Sequence, residues 1–406
     1  MEKHMVVRQP AVEPIGLPAS EAAPAATVRA KAGRLSFVDN IRVFLTILVI
    51  LHHLMITYAG TGSWTYNEER EDVVTSALGG WFCATNQSYF MGLFLLISAY
   101  FVPGSYDRKG AGRFLKDRLI RLGIPLALYS WVISPLFVWE FSYRDTGLSF
   151  WRYFPGQYFR TGPVIGHGPL WFVEVLLIFS LVYVVWRLAT RSRPARPVVE
   201  APFPTNGAIA LFALLLGIAG FVVRLVFPMD GYTFGPLNLQ FGFFAQYIAL
   251  FVLGLIAYRR NWLVGLPDKT GRLWLRIATA LILLWAPMML TNGAIEGDVS
   301  FKGGANWQAG LYALWESFMC LSMCIGLIYA FRRHLNHIGK IGGFLVASAY
   351  TAYLIHAPLI TYLAFAVRNV MLYPLLKFAL VAPVAVLFSF GLGGLIRKIP
   401  YADRIL

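Results

Sequence analysis

Ionisable side chains interrupt an apolar stretch near the start of the chain, residues 39–53, which reads DNIRVFLTILVILHH. Arg42 and His53 are 11 residues apart, so on an α-helix they point in nearly the same direction and lie roughly 16 Å apart along the axis. Asp39 lies about 40° from that line. A histidine exchanges protons near neutral pH, and an arginine keeps its charge and binds anions. One face of this helix therefore carries an anion-binding group at one end and an acid–base group at the other.

Each of these residues also has a structural interpretation. Arg42 could reach lipid head groups, and His53 could make one hydrogen bond inside a helix bundle. A second basic segment favours a functional interpretation of Arg42 and His53 over a structural one. In FLKDRLIRLGIPL (residues 114–126), Arg118 and Arg121 share a face at the mouth of an apolar run. Together with Arg42 they place three guanidinium groups on one side, which suits a soluble donor that carries phosphate.

The composition indicates that most of the chain lies in lipid. Hydrophobic residues make up 58% of the chain and charged residues 14%, whereas soluble domains contain roughly 25% charged residues. A membrane-spanning helix needs about 20 mainly apolar residues. We therefore predict an all-α fold, a polytopic membrane helix bundle with about ten transmembrane helices. The predicted spans are residues 36–58, 79–102, 122–143, 168–189, 207–227, 239–258, 274–291, 307–331, 344–366 and 374–396.

The net charge of +15 is spread over short links between apolar runs, so we expect a lipid bilayer and no nucleic acid as partner. With the N-terminus inside, the cytoplasmic segments hold 25 Lys and Arg residues and the outer links hold six. The positive-inside rule then predicts that both termini are cytoplasmic. Residues 1–34 are rich in Ala and Pro, which predicts a disordered cytoplasmic tail ahead of a single transmembrane domain, residues 35–406.

Four sequence motifs follow the Arg-x10-His spacing in order: SYFMGLFLLISAYF (88–101), RLIRLGIPL (118–126), GPLWFVEVLLIF (168–179) and SAYTAYLIHAPLI (348–360). Together the five elements resemble the acyltransferase-3 family of integral membrane O-acyltransferases. The resemblance extends over nearly the whole chain from about residue 35 onward. Within the family, VDNIRVFL, RLGIPL, PLWF and YLIHAPL are most similar to the branch of glucan succinyltransferases.

The resemblance implies a transmembrane acyltransferase domain in which His53 is the catalytic histidine and Arg42 is its partner in the motif. Arg118 and Arg121 would bind the donor, acyl-CoA, with succinyl-CoA or acetyl-CoA as candidates and no permanently bound cofactor. The acceptor would be a hydroxyl of a glycan beyond the membrane, such as an osmoregulated glucan, and the location the bacterial inner membrane. The long pantetheine arm of CoA would carry the thioester from the arginines up a channel to His53.

In such a reaction His53 would act as general base, a role that typically contributes 10²–10⁴-fold to the rate. Glu174 is the expected orienting acid because it closely follows the LWF motif. Glu316 is a second carboxylate at a comparable depth, and for either acid the alternative is a structural ion pair, for instance with Arg224. No metal site is expected. The residues predicted to support the site are Asp39, His52, Trp171, Tyr353, His356 and Glu316.

A rival interpretation is a transporter or flippase that moves a polar or lipid-linked sugar without acyl chemistry. Polar residues within the membrane and ten spans would serve it equally well. Dependence of the activity on acyl-CoA distinguishes the two classes. The sequence leaves open the acyl group, the acceptor glycan, the choice between direct transfer and an acyl-enzyme, and the oligomeric state.

Overall fold

The protein is an all-helical bundle. The computed structural model describes residues 34–62, 64–68, 72–158, 160, 168–192, 197–231, 237 and 239–406; nearly all of the predicted tail, residues 1–34, lies outside them. Nine helical segments within this part of the chain are long and apolar enough to span a membrane. The long helices are α1 (Ser36–Ala59), α2 (Val73–Gln87), α3 (Phe90–Tyr100), α4 (Val102–Ser142), α5 (Trp171–Ala189), α6 (Asn206–Arg224), α7 (Phe244–Arg259), α8 (Asp268–Thr291), α9 (Trp307–His334), α10 (Lys340–Ala366) and α11 (Pro374–Ile396).

The second predicted span, residues 79–102, differs from the structure, because two shorter helices, α2 and α3, cover it. The chain leaves the helical conformation at Ser88 and Tyr89. The amide Nε2 of Gln246 in α7 donates to the Ser88 carbonyl at 2.8 Å. Non-helical backbone at membrane depth is tolerated where protein groups satisfy it. The break is therefore supported by α7.

The third predicted span is the end of a longer helix. Residues 103–121, which lie between the second and third predicted spans, are helical and continue into the third span, so that α4 runs from Val102 to Ser142. The helix is kinked at Gly110, whose φ of 72° is left-handed. It contains π-helical turns at Leu119–Gly123 and Tyr129–Ile133. The first of these turns contains Arg121, one of the predicted donor-binding residues.

The core of the bundle surrounds α1, which packs against α2, α3, α9, α10 and α11. Small residues allow close helix contacts, as is usual in membranes. A side chain at Gly254 of α7 would meet the Leu96 carbonyl of α3 at 2.3 Å, and one at Gly393 of α11 would meet the Ala352 nitrogen of α10 at 3.1 Å. These contacts hold α3, α10 and α11 at the positions from which they surround the polar end of α1.

Candidate active site

His53 lies in the last two turns of α1, and its ring is hydrogen-bonded to the ring of His356 in α10. Nδ1 of His53 is 3.0 Å from Nε2 of His356, and Nδ1 of His356 is 2.5 Å from the carbonyl oxygen of Tyr353. A carbonyl only accepts, so Nδ1 of His356 carries a hydrogen and, in the neutral ring, its Nε2 accepts. His53 must then donate through its own Nδ1. This leaves Nε2 of His53 as the nitrogen with a free lone pair, which is the form of imidazole that takes up a proton.

The rings of His53 and His356 lie side by side in nearly one plane. Their planes differ by 23° and their centroids are 5.1 Å apart. This separation is close to the sum of the N–N distance and the two ring radii, as expected when the two rings lie end to end. The hydrogen bond therefore runs along the nitrogen lone pair, its favourable direction. Trp64, in the loop after α1, has a different relation to His53. Its ring stacks face to face on the imidazole, with centroids 4.3 Å apart and planes 18° apart.

His53 lines a cavity of about 890 Å³. A cavity of this volume is at the upper end of the range for small-molecule sites. Its lining is largely aromatic and also includes polar and charged groups. The aromatic and histidine lining includes His52, His53, Trp64, Phe90, Tyr129, Phe137, Trp171, Phe243, Tyr247, Trp285, Tyr312 and Tyr353, and the polar lining includes Gln87, Asp230, Gln240, Asp298 and Lys302.

Three of the sequence motifs meet at this cavity. The hydroxyl of Tyr353 in α10 donates to the carbonyl of Pro169 at the start of the PLWF segment. The Trp171 ring stacks on Tyr247 of α7, with centroids 5.4 Å apart and planes 24° apart. Phe90, just after the break between α2 and α3, lies against His52 at 5.0 Å between centroids. Packing between motifs that are distant in sequence therefore fixes the orientation of the site.

Tyr353, Trp171 and His52, all predicted to support the site, are candidate hydrogen-bond donors to an oxyanion, and these contacts distinguish among them. The hydroxyl hydrogen of Tyr353 is already used by the Pro169 carbonyl. Nδ1 of His52 is buried and has no hydrogen-bond partner among the described residues. Both His52 and Trp171 line the cavity. Trp171 is therefore the best placed of the three to donate to a group bound beside His53.

The structure gives His53 a different neighbour from the expected Glu174. Glu174 is 3% exposed, and neither carboxylate oxygen has a hydrogen-bond partner within the described parts of the chain. His356 occupies the position on Nδ1 of His53 that an orienting acid would take. The order of motifs along the chain does not fix the direction of the Glu174 side chain, and a catalytic role for Glu174 stays a prediction.

Glu316 forms the structural ion pair with Arg224 that was the alternative to a catalytic role. Its carboxylate accepts from Nη2 of Arg224 at 2.5 Å, with the Arg224 side chain 1% and the Glu316 side chain 8% exposed. Nε of Arg224 also donates to the Gly242 carbonyl at 3.1 Å. Two opposite charges that are paired at this distance satisfy much of each other's cost of burial. The pair links α6 to α9 and leaves Glu316 engaged away from His53.

The predicted donor-binding residues lie together at the other end of α1. The charges of Arg42 and Arg121 both act on Arg118. Arg42 also pairs with Asp39 at 3.3 Å, and its guanidinium lies 4.9 Å from the centre of the Phe101 ring. Tyr350 of α10 donates to the Arg121 carbonyl at 2.7 Å. The three arginines therefore form a cationic cluster, and Asp39 offsets part of its charge.

The cavity and the arginine cluster are separate in this structure. Val49 is the residue of α1 nearest the arginines that lines the cavity, and it is seven residues, or roughly 10 Å, from Arg42 along the helix. Leu45, Thr46 and Leu48 are buried between them. The lining of the cavity therefore ends at Val49 on α1, and the continuous channel expected between the two ends stays a prediction.

Sequence analysis underestimated two residues of the site. His356 was expected only as a supporting group, although its motif, YLIHAPL, was recognised. Trp64 lies in the acidic segment between α1 and α2, residues 60–72, and was not among the residues predicted to support the site. The only signal for Trp64 was an aromatic residue close in sequence to the end of α1. Its face-to-face contact with His53 depends on the path of the loop, which composition does not specify.

The fold and the site define a multi-pass membrane protein with an imidazole pair in a large cavity. A family model described as an acyltransferase domain, that of the acyltransferase-3 family, matches residues 35–394. The chain belongs to this family. It is 25% identical over 350 residues to glucans biosynthesis protein C of Salmonella schwarzengrund, a match that covers 81% of this chain and 83% of the relative. The same protein of Salmonella heidelberg is 25% identical over 351 residues, with the same coverage. No solved structure gives a significant match.

Proposed function

We propose that this membrane O-acyltransferase transfers an acyl group, succinyl or acetyl, from cytoplasmic acyl-CoA to a hydroxyl of a glycan on the outer side of the bacterial inner membrane. The observation that carries the proposal is the pair His53–His356 held by the Tyr353 carbonyl, with His53 on the wall of the cavity. The family supports acyl transfer. The name of the relatives, glucans biosynthesis protein C, supports a glucan as the acceptor.

In the proposed reaction Nε2 of His53 accepts the proton of the acceptor hydroxyl as its oxygen attacks the thioester carbonyl. The new C–O bond forms, and the carbonyl oxygen becomes an oxyanion near His52 and Trp171. As the C–S bond breaks, the imidazolium returns the proton to the sulfur of CoA. The hydrogen bond to His356 keeps the free lone pair on Nε2, and the transferred positive charge is shared along Nδ1–H···Nε2. General-base catalysis of this kind typically contributes 10²–10⁴-fold.

Arg42, Arg118 and Arg121 would hold the phosphates of the donor. Guanidinium groups bind phosphate bidentately and remain charged at every physiological pH. The pantetheine arm must then pass the buried segment between Arg42 and Val49 to reach His53. We propose that donor binding opens this segment, since helix movements that admit a substrate are common in enzymes and often limit turnover.

The cavity suits a sugar acceptor. Its aromatic walls, which include Trp64, Trp171 and Trp285, offer flat apolar surfaces for the C–H faces of sugar rings. The amides and carboxylates that line the cavity can form hydrogen bonds with hydroxyls. A volume of about 890 Å³ exceeds what a single acetyl or succinyl group requires. A glycan of more than one ring therefore fits the site better than a small alcohol.

The decisive experiment uses membranes that contain the wild-type protein, His53→Asn or His334→Asn. His334 is an exposed histidine at the end of α9 and is the matched control. Each membrane is incubated with radiolabelled succinyl-CoA or acetyl-CoA and a panel of glucose oligosaccharides, and alkali-labile label on the glycan is counted. We expect label with the wild type and with His334→Asn, and loss of at least 10²-fold with His53→Asn.

Wild-type membranes that label no glycan from either donor, but still move a fluorescent oligosaccharide across the bilayer, would favour the transporter class instead. Mass spectrometry of envelope glycans from a deletion strain gives independent evidence. A missing mass of one succinyl or one acetyl unit would identify the donor and the class of acceptor together. Unchanged glycan masses would contradict the proposal.

A further inference from the structure

The loop that carries Trp64 is attached to the bundle by a buried ion pair. Nζ of Lys377 in α11 donates to the two carboxylate oxygens of Glu68 at 2.8 and 2.6 Å. The side chains are 2% and 12% exposed. The backbone N–H of Glu68 also donates to the Thr57 carbonyl near the end of α1 at 2.8 Å. Residues 64–68 are therefore anchored at one end to both α1 and α11.

A lysine at this position requires an explanation. Lys377 lies in the first turn of the apolar helix α11, where a buried ammonium group without a partner would cost several kcal/mol. Its nitrogen is also 5.8 Å from the centre of the Tyr58 ring, a favourable cation–π distance. A neutral residue would avoid the cost of burial and still complete the helix. The charge is thus best explained by the partner that it recruits, the carboxylate of Glu68.

The anchored loop has a direct effect on His53. Glu68 is the fourth residue after Trp64, so fixing Glu68 limits where the indole can lie. The indole covers one face of the imidazole, while His356 fixes the ring within its plane. The face of an aromatic ring also attracts a cation. Trp64 would therefore both restrict rotation of His53 and stabilise the imidazolium formed when His53 takes a proton.

We infer that the Glu68–Lys377 ion pair is a positioning device that holds Trp64 against His53, and that Trp64 is a positioning residue for proton transfer. The part of this inference that concerns catalysis rests on the proposed function. The geometric part does not. The alternative is that the ion pair only attaches α11 to the bundle. Breaking it would then lower the thermal stability, but in the variants that still fold the surroundings of His53 would be unchanged.

The test measures how fast diethyl pyrocarbonate modifies individual histidines in the full-length protein in lipid nanodiscs. Peptide mass spectrometry gives the rate at His53, with the exposed His334 as an internal reference. The variants are Glu68→Gln, Lys377→Met and Trp64→Leu, with Trp64→Phe as the conservative partner. Size-exclusion chromatography and thermal unfolding select the variants that are folded.

We expect modification of His53 to become at least about threefold faster in Glu68→Gln, Lys377→Met and Trp64→Leu, because the loop no longer covers the ring. The rate in Trp64→Phe should stay near that of the wild type, and the rate at His334 should not change. The charge exchange Glu68→Lys with Lys377→Glu should restore part of the protection. An unchanged rate at His53 in folded Glu68→Gln would overturn the inference, whatever the behaviour of Lys377→Met.

The kinetic readout separates this inference from the proposed function. With acetyl-CoA or succinyl-CoA and a labelled oligosaccharide, Glu68→Gln should lower kcat about tenfold and leave the KM for the donor near its wild-type value. The arginines that would bind the donor are at the opposite end of α1. If the wild type transfers no acyl group at all, the proposed function fails, and the modification rates still decide whether the ion pair holds Trp64 on His53.

Discussion

The hydrogen bond between the two histidines makes His356 the most informative residue to replace. In His356→Phe the ring size is nearly kept, but Nδ1–H of His53 loses its acceptor. Leaving a buried donor unsatisfied costs about 1–3 kcal/mol. Since 1.36 kcal/mol corresponds to a factor of ten in rate, we expect kcat/KM to fall roughly 5- to 150-fold. The loss should lie in kcat, because the contact that is removed is with His53, the proposed base.

The matched variant is His356→Gln. The amide oxygen of Gln can occupy the place of Nε2 and accept from His53, whereas the shorter Asn cannot reach it. We therefore expect Gln to keep about a third or more of the wild-type rate, and both Asn and Phe to lose most of it. The order Gln > Asn ≈ Phe tests the hydrogen bond itself and not the volume of the side chain.

The assay follows release of the CoA thiol with a chromogenic disulfide in nanodiscs, with the donor in excess and the glucose oligosaccharide varied. Thermal unfolding of each variant controls for the fold, and His53→Asn gives the rate without a base. If folded His356→Phe retained more than half of the wild-type kcat/KM while His53→Asn was inactive, the assignment of His356 as the support of His53 would be refuted.

Three further predictions concern residues outside the imidazole pair. Replacing Arg118 by Ala should raise the KM for acyl-CoA about 10- to 100-fold with little effect on the KM for the acceptor, because a charge-assisted contact is worth about 1.5–3 kcal/mol. Initial rates at varied concentrations of acyl-CoA measure this change in KM. Glu174→Gln should keep kcat within about twofold, because neither oxygen of Glu174 has a partner within the described chain; a tenfold fall would restore Glu174 to the catalytic role expected from the sequence. Arg224→Met should destabilise the fold by about 3–5 kcal/mol, because Glu316 is left as an unpaired buried charge, and adding Glu316→Leu should recover most of the loss. Thermal unfolding in nanodiscs compares the single and the double variant. A double variant that is no more stable than Arg224→Met would contradict this account.

The membrane-spanning helices could be predicted where length and apolar content decide them. The first predicted span, residues 36–58, differs from α1, Ser36–Ala59, by one residue at its outer end. The break at Ser88 could not be predicted in this way, because it depends on the amide of Gln246, which is supplied by a helix about 160 residues further along the chain. Local hydropathy contains no information about such a partner.

The site was predictable within a helix and much less so between helices. Helical geometry predicts which side chains of α1 share a face, but it does not indicate which other helices that face contacts. His53 and His356 are 303 residues apart, and only packing brings them together. For this reason the sequence alone could not single out His356 as the neighbour of His53. Trp64 and Glu68 depend further on the path of a loop.

The neutral imidazole pair has a consequence for energy coupling. On the proposed chemistry, the proton that leaves the sugar oxygen is handed on to the sulfur, so a complete turnover neither consumes nor releases protons on either side of the bilayer. Both rings return to their uncharged resting forms. An enzyme of this kind, unlike an ion-driven pump, does not depend on a proton gradient, and acetyl transfer should therefore continue when an ionophore abolishes that gradient.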